Sequence, residues 1–153
     1  MQKKAKKASA AEIIINKSAG DKNDYQYFKL KNDLQVLLVE DNNATLGKGE
    51  PMAYVSLSVN VGSLNSPPHR QGLAHFLEHM VFMGSKKYPD ESSYTEHISA
   101  NGGFDNACTE FEWTNFHYEI NETGLLHSLE MLSACMEESL LSKDLMEREI
   151  NAV

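Results

Sequence analysis

The segment Met52–Val61 places the strongest constraint on the fold, because apolar and polar residues alternate along its whole length. A period of two indicates a β-strand that buries one face and exposes the other. Such a strand needs neighbouring strands and a covering layer of side chains. The buried face is predicted to consist of Ala53, Val55, Leu57, Val59 and Val61.

The other segments predict further strands and helices, interspersed along the chain. The Asn32-Asp33 pair between two apolar runs favours a hairpin turn, and Ser142 is a suitable N-cap for a last helix. These features predict an α+β fold of two layers, in which helices pack on a mixed, largely antiparallel sheet. The predicted strands are Tyr25–Leu30, Leu34–Glu40, Phe104–Thr109 and Trp113–Ile120, and the predicted helices are Gly72–Met83, Asp90–Ala100, 122–138 and a segment from Ser142 onward.

The chain of 153 residues has the length of one ordinary domain. Residues 1–24 are rich in lysine, alanine and serine, and they predict a disordered basic leader. Residues 25–153 are predicted to form the domain, with a polar loop at Asp41–Pro51. The last predicted helix reaches Val153 without a glycine or proline to end it, which predicts that the domain is truncated at its C-terminal end.

Charge is distributed unevenly and limits the classes of partner. Six lysines against Glu12 and Asp21 give the first 22 residues a net charge of +4, and the remaining residues carry −12 of the total of −8. An acidic body repels polyanions, so nucleic acid is excluded as the main partner, whereas cationic peptides and metal ions are favoured.

Composition also indicates a location. No apolar run approaches the roughly 20 residues that a membrane-spanning helix needs, so we expect no membrane partner. The two cysteines, Cys108 and Cys135, are too few for a disulfide framework. The only apolar run near the N-terminus, Ile13-Ile14-Ile15, is too short for a secretory signal. These observations predict a cytoplasmic protein.

The motif that carries chemistry is His75-Phe76-Leu77-Glu78-His79. Residues four apart lie on the same face of a helix, so His75 and His79 can direct their imidazoles at one ion. Glu78 lies at the edge of that face, where its carboxylate can reach a water on the metal without binding the metal itself. With zinc, such a carboxylate can take the proton of the water and deliver it to a leaving amine. The spacing His-x-x-Glu-His is that of the inverzincins.

The same residues have a structural interpretation, in which both histidines are hydrogen-bonded helix residues and Glu78 pairs with one of them. The motif alone leaves that alternative open. The other histidines show no ligand spacing and are expected to be structural: His69, His97, His117 and His127.

The longer segment Gly72–Ser85, followed by Lys87-Tyr88-Pro89, resembles the insulinase (pitrilysin-type, M16) family of zinc metalloproteases. It is most similar to the insulin-degrading enzyme and nardilysin branch of that family. The resemblance spans residues 25–153, nearly everything outside the lysine-rich leader. Shorter matching pieces are Val61-Gly62-Ser63, Pro67-Pro68, Asn106-Ala107 with Thr109, and Arg148-Glu149 with Asn151-Ala152-Val153.

The resemblance implies that His75 and His79 are zinc ligands and that Glu78 is the general base. Glu149 corresponds to a family glutamate that supports catalysis without binding the metal. The third zinc ligand of the family is a glutamate two turns beyond Glu149, which points to position 156, after the last residue of this sequence.

The implied function is that of a zinc-dependent metalloendopeptidase, with Zn²⁺ as cofactor and short or unfolded peptides as substrates. Asn106 and Ala107 correspond to a strand that pairs with the substrate backbone, although ordinary sheet structure explains them equally well. Other domains or subunits are expected to complete the active site. Two alternatives remain: a non-catalytic binding or assembly module of the same fold, and binding of a divalent metal without proteolysis.

Overall fold

The computed structural model describes residues 15–41 and 51–150. Residues 1–14 of the predicted leader, residues 42–50 of the predicted loop and Asn151-Ala152-Val153 lie outside this part of the chain. The chain divides into two compact units at residues 49 and 50, and each unit is described by itself.

The first unit contains one antiparallel hairpin. Strand β1 (Asp24–Lys29) pairs with strand β2 (Gln35–Glu40). In the turn, the amide of Asp33 donates to the carbonyl of Leu30 over 3.0 Å, and Asp33 has a left-handed φ of 69°. Aspartate tolerates this conformation better than most residues, so the hairpin predicted from Asn32-Asp33 is confirmed.

The second unit contains a three-stranded sheet with the order β3–β5–β4. Strand β3 (Met52–Val59) and strand β4 (Phe104–Thr109) both pair with the central strand β5 (Thr114–Asn121). Within the described ranges every paired strand is antiparallel. Strand β3 ends two residues earlier than its alternation predicts, because the amide of Val61 bonds the carbonyl of Val59 in a tight turn.

The helices of the second unit lie between and after these strands. Helix α1 is Leu73–Val81, α2 is Ser93–Ala100, α3 is Leu125–Glu138 and α4 is Lys143–Ile150. Helix α2 begins later than predicted, because the side chain of Asp90 accepts a hydrogen bond from the amide of Ser92 and holds residues 90–92 in a turn. Short 3₁₀ turns occupy Ser63–Asn65 and Glu122–Gly124.

The core lies between the helices and one face of the sheet. Tyr118 and Ile120 of β5 have no exposed surface and pack against Ile98 of α2 and Met131 of α3. The opposite face of the sheet is polar, and there Asn115 donates to the hydroxyl of Ser56 over 2.8 Å. An α+β fold of two layers, as predicted, is therefore confirmed. No helix among the described residues is long and apolar enough to cross a bilayer.

Candidate metal centre

Helix α1 holds the histidines of the motif on one exposed face. The helix begins after Gly72, which has a left-handed φ of 84° and accepts a hydrogen bond from the amide of Phe76. Its opposite face carries Met80, which is 1% exposed and anchors the helix on the core. His75 and His79 therefore stay at the surface, one turn apart.

The two imidazoles face each other closely. The Nε2 atoms of His75 and His79 are 3.1 Å apart, and the ring planes are inclined by 75°. Two nitrogens bound to one tetrahedral zinc at 2.0–2.1 Å would lie about 3.3 Å apart, so the pair fits one ion. The same distance also suits a hydrogen bond between one protonated and one unprotonated nitrogen.

Glu78 completes a group of three. Ligand atoms of His75, Glu78 and His79 all lie within 4.8 Å of one another. Across residues 15–41 and 51–150, this is the one group of three His, Cys, Asp or Glu side chains close enough to hold an ion. Neutral imidazoles are typical donors for zinc, and a carboxylate beside them is placed to act on a water at the ion.

Glu78 itself is only 8% exposed and is held from the side of the sheet. Its Oε2 atom accepts a hydrogen bond from the hydroxyl of Thr109, the last residue of β4. The sequence does not predict this contact, because nothing in the local pattern around Thr109 indicates which distant side chain it meets.

Glu149 approaches the site from helix α4. Its Oε1 atom is 2.7 Å from Nδ1 of His79, and the Glu149 side chain is 12% exposed. A carboxylate at Nδ1 fixes the proton on that nitrogen and leaves Nε2 free as a lone-pair donor. The adjacent Arg148 hydrogen-bonds Glu91, which ties α4 to the segment before α2.

The remaining predicted site residues, Asn106 and Ala107, lie on β4. Asn106 is exposed and belongs to the polar face of the sheet, where it pairs in register with His117. Ala107 belongs to the other face and packs against the cluster of Val81 and Phe116. Strand β4 lies at an edge of the sheet, with β5 on its inner side.

Burial raises the pKa of two side chains of this unit, Cys135 and Asp105. It raises the pKa of the Cys135 thiol to about 11, so the thiol is neutral at physiological pH and acts as an apolar side chain. Burial also raises the pKa of Asp105, which lies on the helix-facing side of β4, and a hydrogen bond from Thr95 partly opposes that rise.

The motif His-x-x-Glu-His, the reverse of the commoner His-Glu-x-x-His, is typical of the inverzincin class of metallopeptidases. Here the motif lies on helix α1 of the unit that contains the three-stranded antiparallel sheet. A family model described as "Insulinase (Peptidase family M16)" matches residues 44–153. The chain belongs to this insulinase family of metallopeptidases.

Individual relatives agree with this assignment. The chain is 38% identical to the "Insulin-degrading enzyme homolog" of Dictyostelium discoideum over 142 residues, covering 93% of this chain and 14% of that protein. It is 37% identical to the "Insulin-degrading enzyme" of Homo sapiens over 139 residues, covering 91% of this chain and 13% of that protein. The crystal structure of pitrilysin superimposes with a TM-score of 0.83 and 40% identity, covering 92% of this chain and 14% of that chain. The chain thus spans only a small part of the length of these relatives.

Proposed function

We propose that this chain is part of a zinc-dependent metalloendopeptidase in which His75 and His79 bind the ion and Glu78 is the general base. The observation that supports this most strongly is the 3.1 Å separation of the two Nε2 atoms. Glu78 lies beside them, with a carboxylate oxygen within 4.8 Å of the imidazole nitrogens.

A zinc ion held by His75 and His79 would supply a Lewis acid and would lower the pKa of a water bound to it to about 7. Glu78 accepts the proton of the attacking water and then delivers it to the leaving amine of the peptide. Glu149 supports the reaction without binding the ion, because its carboxylate orients the ring of His79 and keeps Nε2 turned toward the ion.

The proposed set supplies two protein ligands within residues 1–153, whereas catalytic zinc sites generally have three. We propose that the third comes from outside these residues, from a further segment or from another subunit. A second candidate is a binding or assembly module of the same fold that holds a divalent ion without hydrolysing peptides.

Extended peptides are the proposed substrates. The outer edge of β4 can accept a peptide backbone as an added strand, with Asn106 and Ala107 at the point of pairing. A cytoplasmic location is proposed as well, because Cys108 and Cys135 are both free thiols.

Hydrolysis of a fluorogenic peptide and calorimetric zinc binding should be compared for wild type, Glu78→Gln and the control Glu112→Gln at an exposed position. We expect Glu78→Gln to lower kcat/KM by about 100-fold or more, since general-base catalysis contributes on that scale. Its zinc affinity should stay within about threefold of wild type, since the amide replaces a group that is not a ligand. Equal, measurable rates for wild type and Glu78→Gln would exclude Glu78 as the base, and zinc binding without hydrolysis by a chain that carries the third ligand would favour the binding module.

A further inference from the structure

A chain of hydroxyl groups connects Glu78 to the hairpin formed by β4 and β5. Thr109 donates a hydrogen bond to Oε2 of Glu78. The hydroxyl oxygens of Thr109 and Thr114 are 3.3 Å apart, and Thr114 donates to the carbonyl of Val61 over 2.8 Å. This series of hydrogen bonds therefore ends on the backbone carbonyl of Val61, which cannot rotate as a side chain can.

The number of protons on each hydroxyl group fixes the direction of donation in this series of hydrogen bonds. A threonine hydroxyl has one proton, and Thr109 is the donor to Oε2 of Glu78, so this proton points at Glu78. The proton of Thr114 points at the carbonyl of Val61, and the Thr114 oxygen lies 3.3 Å from the oxygen of Thr109. Oε2 of Glu78 is thus occupied by a donor.

The hairpin that carries both threonines is held rigidly. Thr109 and Thr114 are direct partners across β4 and β5, and Thr114 is 6% exposed. The amide of Ser63 donates to the carbonyl of Glu110 over 2.8 Å at the tip. At Gly62, an added Cβ would lie 2.5 Å from the same carbonyl, so residue 62 and the tip fit with no space between them.

From this arrangement we propose that Thr109 is a positioning residue for Glu78: its hydroxyl holds one carboxylate oxygen against the sheet and presents the other to the site of His75 and His79. Without that bond the terminal torsion of a glutamate rotates over a broad range, because it is an sp³–sp² torsion. The inference rests on the proposed function, since positioning matters only where Glu78 moves a proton.

The hydroxyl can be separated from the shape of the side chain by two substitutions. Thr109→Val keeps the branched shape and removes the hydroxyl, whereas Thr109→Ser keeps the hydroxyl and removes the methyl group. Thr123→Val is the matched control, because Thr123 is exposed beside helix α3 and lies outside the proposed site. All variants should be compared by thermal unfolding, so that a loss of folding is recognised.

The test that does not depend on hydrolysis is the carboxyl ¹³C resonance of Glu78 in the 153-residue chain at one fixed pH, assigned with Glu78→Gln. We expect the resonance to move in Thr109→Val and to stay near its wild-type position in Thr109→Ser and Thr123→Val. An unmoved resonance in Thr109→Val, or equal movement in the valine and serine variants, would overturn the inference.

The second readout is peptide hydrolysis. If the wild-type chain cleaves the fluorogenic peptide, we expect Thr109→Val to lower kcat by about tenfold or more, the scale of one hydrogen bond to a charged group, with KM within about twofold. Thr109→Ser should restore most of kcat. An unchanged kcat in a folded Thr109→Val variant would refute the positioning role. If the wild-type chain is inactive because the third zinc ligand lies outside it, the ¹³C measurement still decides whether Thr109 holds Glu78.

Discussion

The contact between Glu149 and His79 can be tested by its effect on metal affinity. Its two atoms are 2.7 Å apart, and Glu149 approaches from helix α4 with 12% of its side chain exposed. Loss of such a partner of a ligating histidine weakens metal binding about 10- to 100-fold. His79 is 37% exposed, so solvent screens part of the interaction. We therefore expect Glu149→Ala to weaken binding about 30-fold, or ~2 kcal/mol, near the middle of that range.

The assay is a competition titration with Co²⁺ and a chromophoric chelator at constant pH and ionic strength. Glu149→Gln should show a smaller loss, because its amide oxygen still accepts from Nδ1–H but carries no charge. Glu147→Gln on the same helix is the matched control, since the Glu147 carboxylate pairs with Lys143 over 3.6 Å. Equal affinities for wild type and a folded Glu149→Ala variant would refute the orienting role of Glu149.

Three further predictions concern stability and pH. Gly62→Ala should lower the free energy of unfolding by about 3 kcal/mol in urea titrations, because its Cβ would lie within 2.7 Å of backbone atoms of the hairpin tip, and an unchanged midpoint would contradict this close fit. Ile98→Ala, at a side chain with no exposed surface, should cost about 2–5 kcal/mol in the same assay, whereas Leu126→Ala, at a position 81% exposed, should change little. Burial raises the pKa of Asp105 in the folded state, so the folded chain binds more protons than the unfolded chain and loses stability as the pH rises from about 4 through that raised pKa. The Asp105→Asn variant has no carboxyl group at this position, so its free energy of unfolding relative to wild type should increase between pH 4 and pH 7. A difference in the free energy of unfolding that stays constant over this range would show that burial does not destabilise the ionised carboxyl group.

Local patterns predicted the elements that depend on local periodicity. The alternation in Met52–Val61 predicted β3, and the spacing of His75 and His79 predicted that both imidazoles share one face of α1. These features follow from backbone geometry alone, which is why they can be read without knowing the tertiary packing.

Long-range contacts could not be predicted in the same way. Thr109 meets Glu78 across a separation of 31 residues, and α4 brings Glu149 to Nδ1 of His79. Both contacts depend on how the helix layer rests on the sheet. Resemblance to the family indicated a supporting role for Glu149, but neither its partner atom nor the hydroxyl at Glu78 has a signature in residue spacing.

Ring-nitrogen NMR spectra recorded during zinc titration test the metal centre most directly. The account predicts that zinc shifts the Nε2 resonances of His75 and His79 together, saturating at one ion per chain, and leaves the other histidines unchanged. Nδ1 of His79 should keep its proton when zinc binds, since Glu149 accepts the hydrogen bond from that nitrogen. Nε2 resonances of both residues that do not respond to zinc, or a response centred on another histidine, would contradict the proposed site.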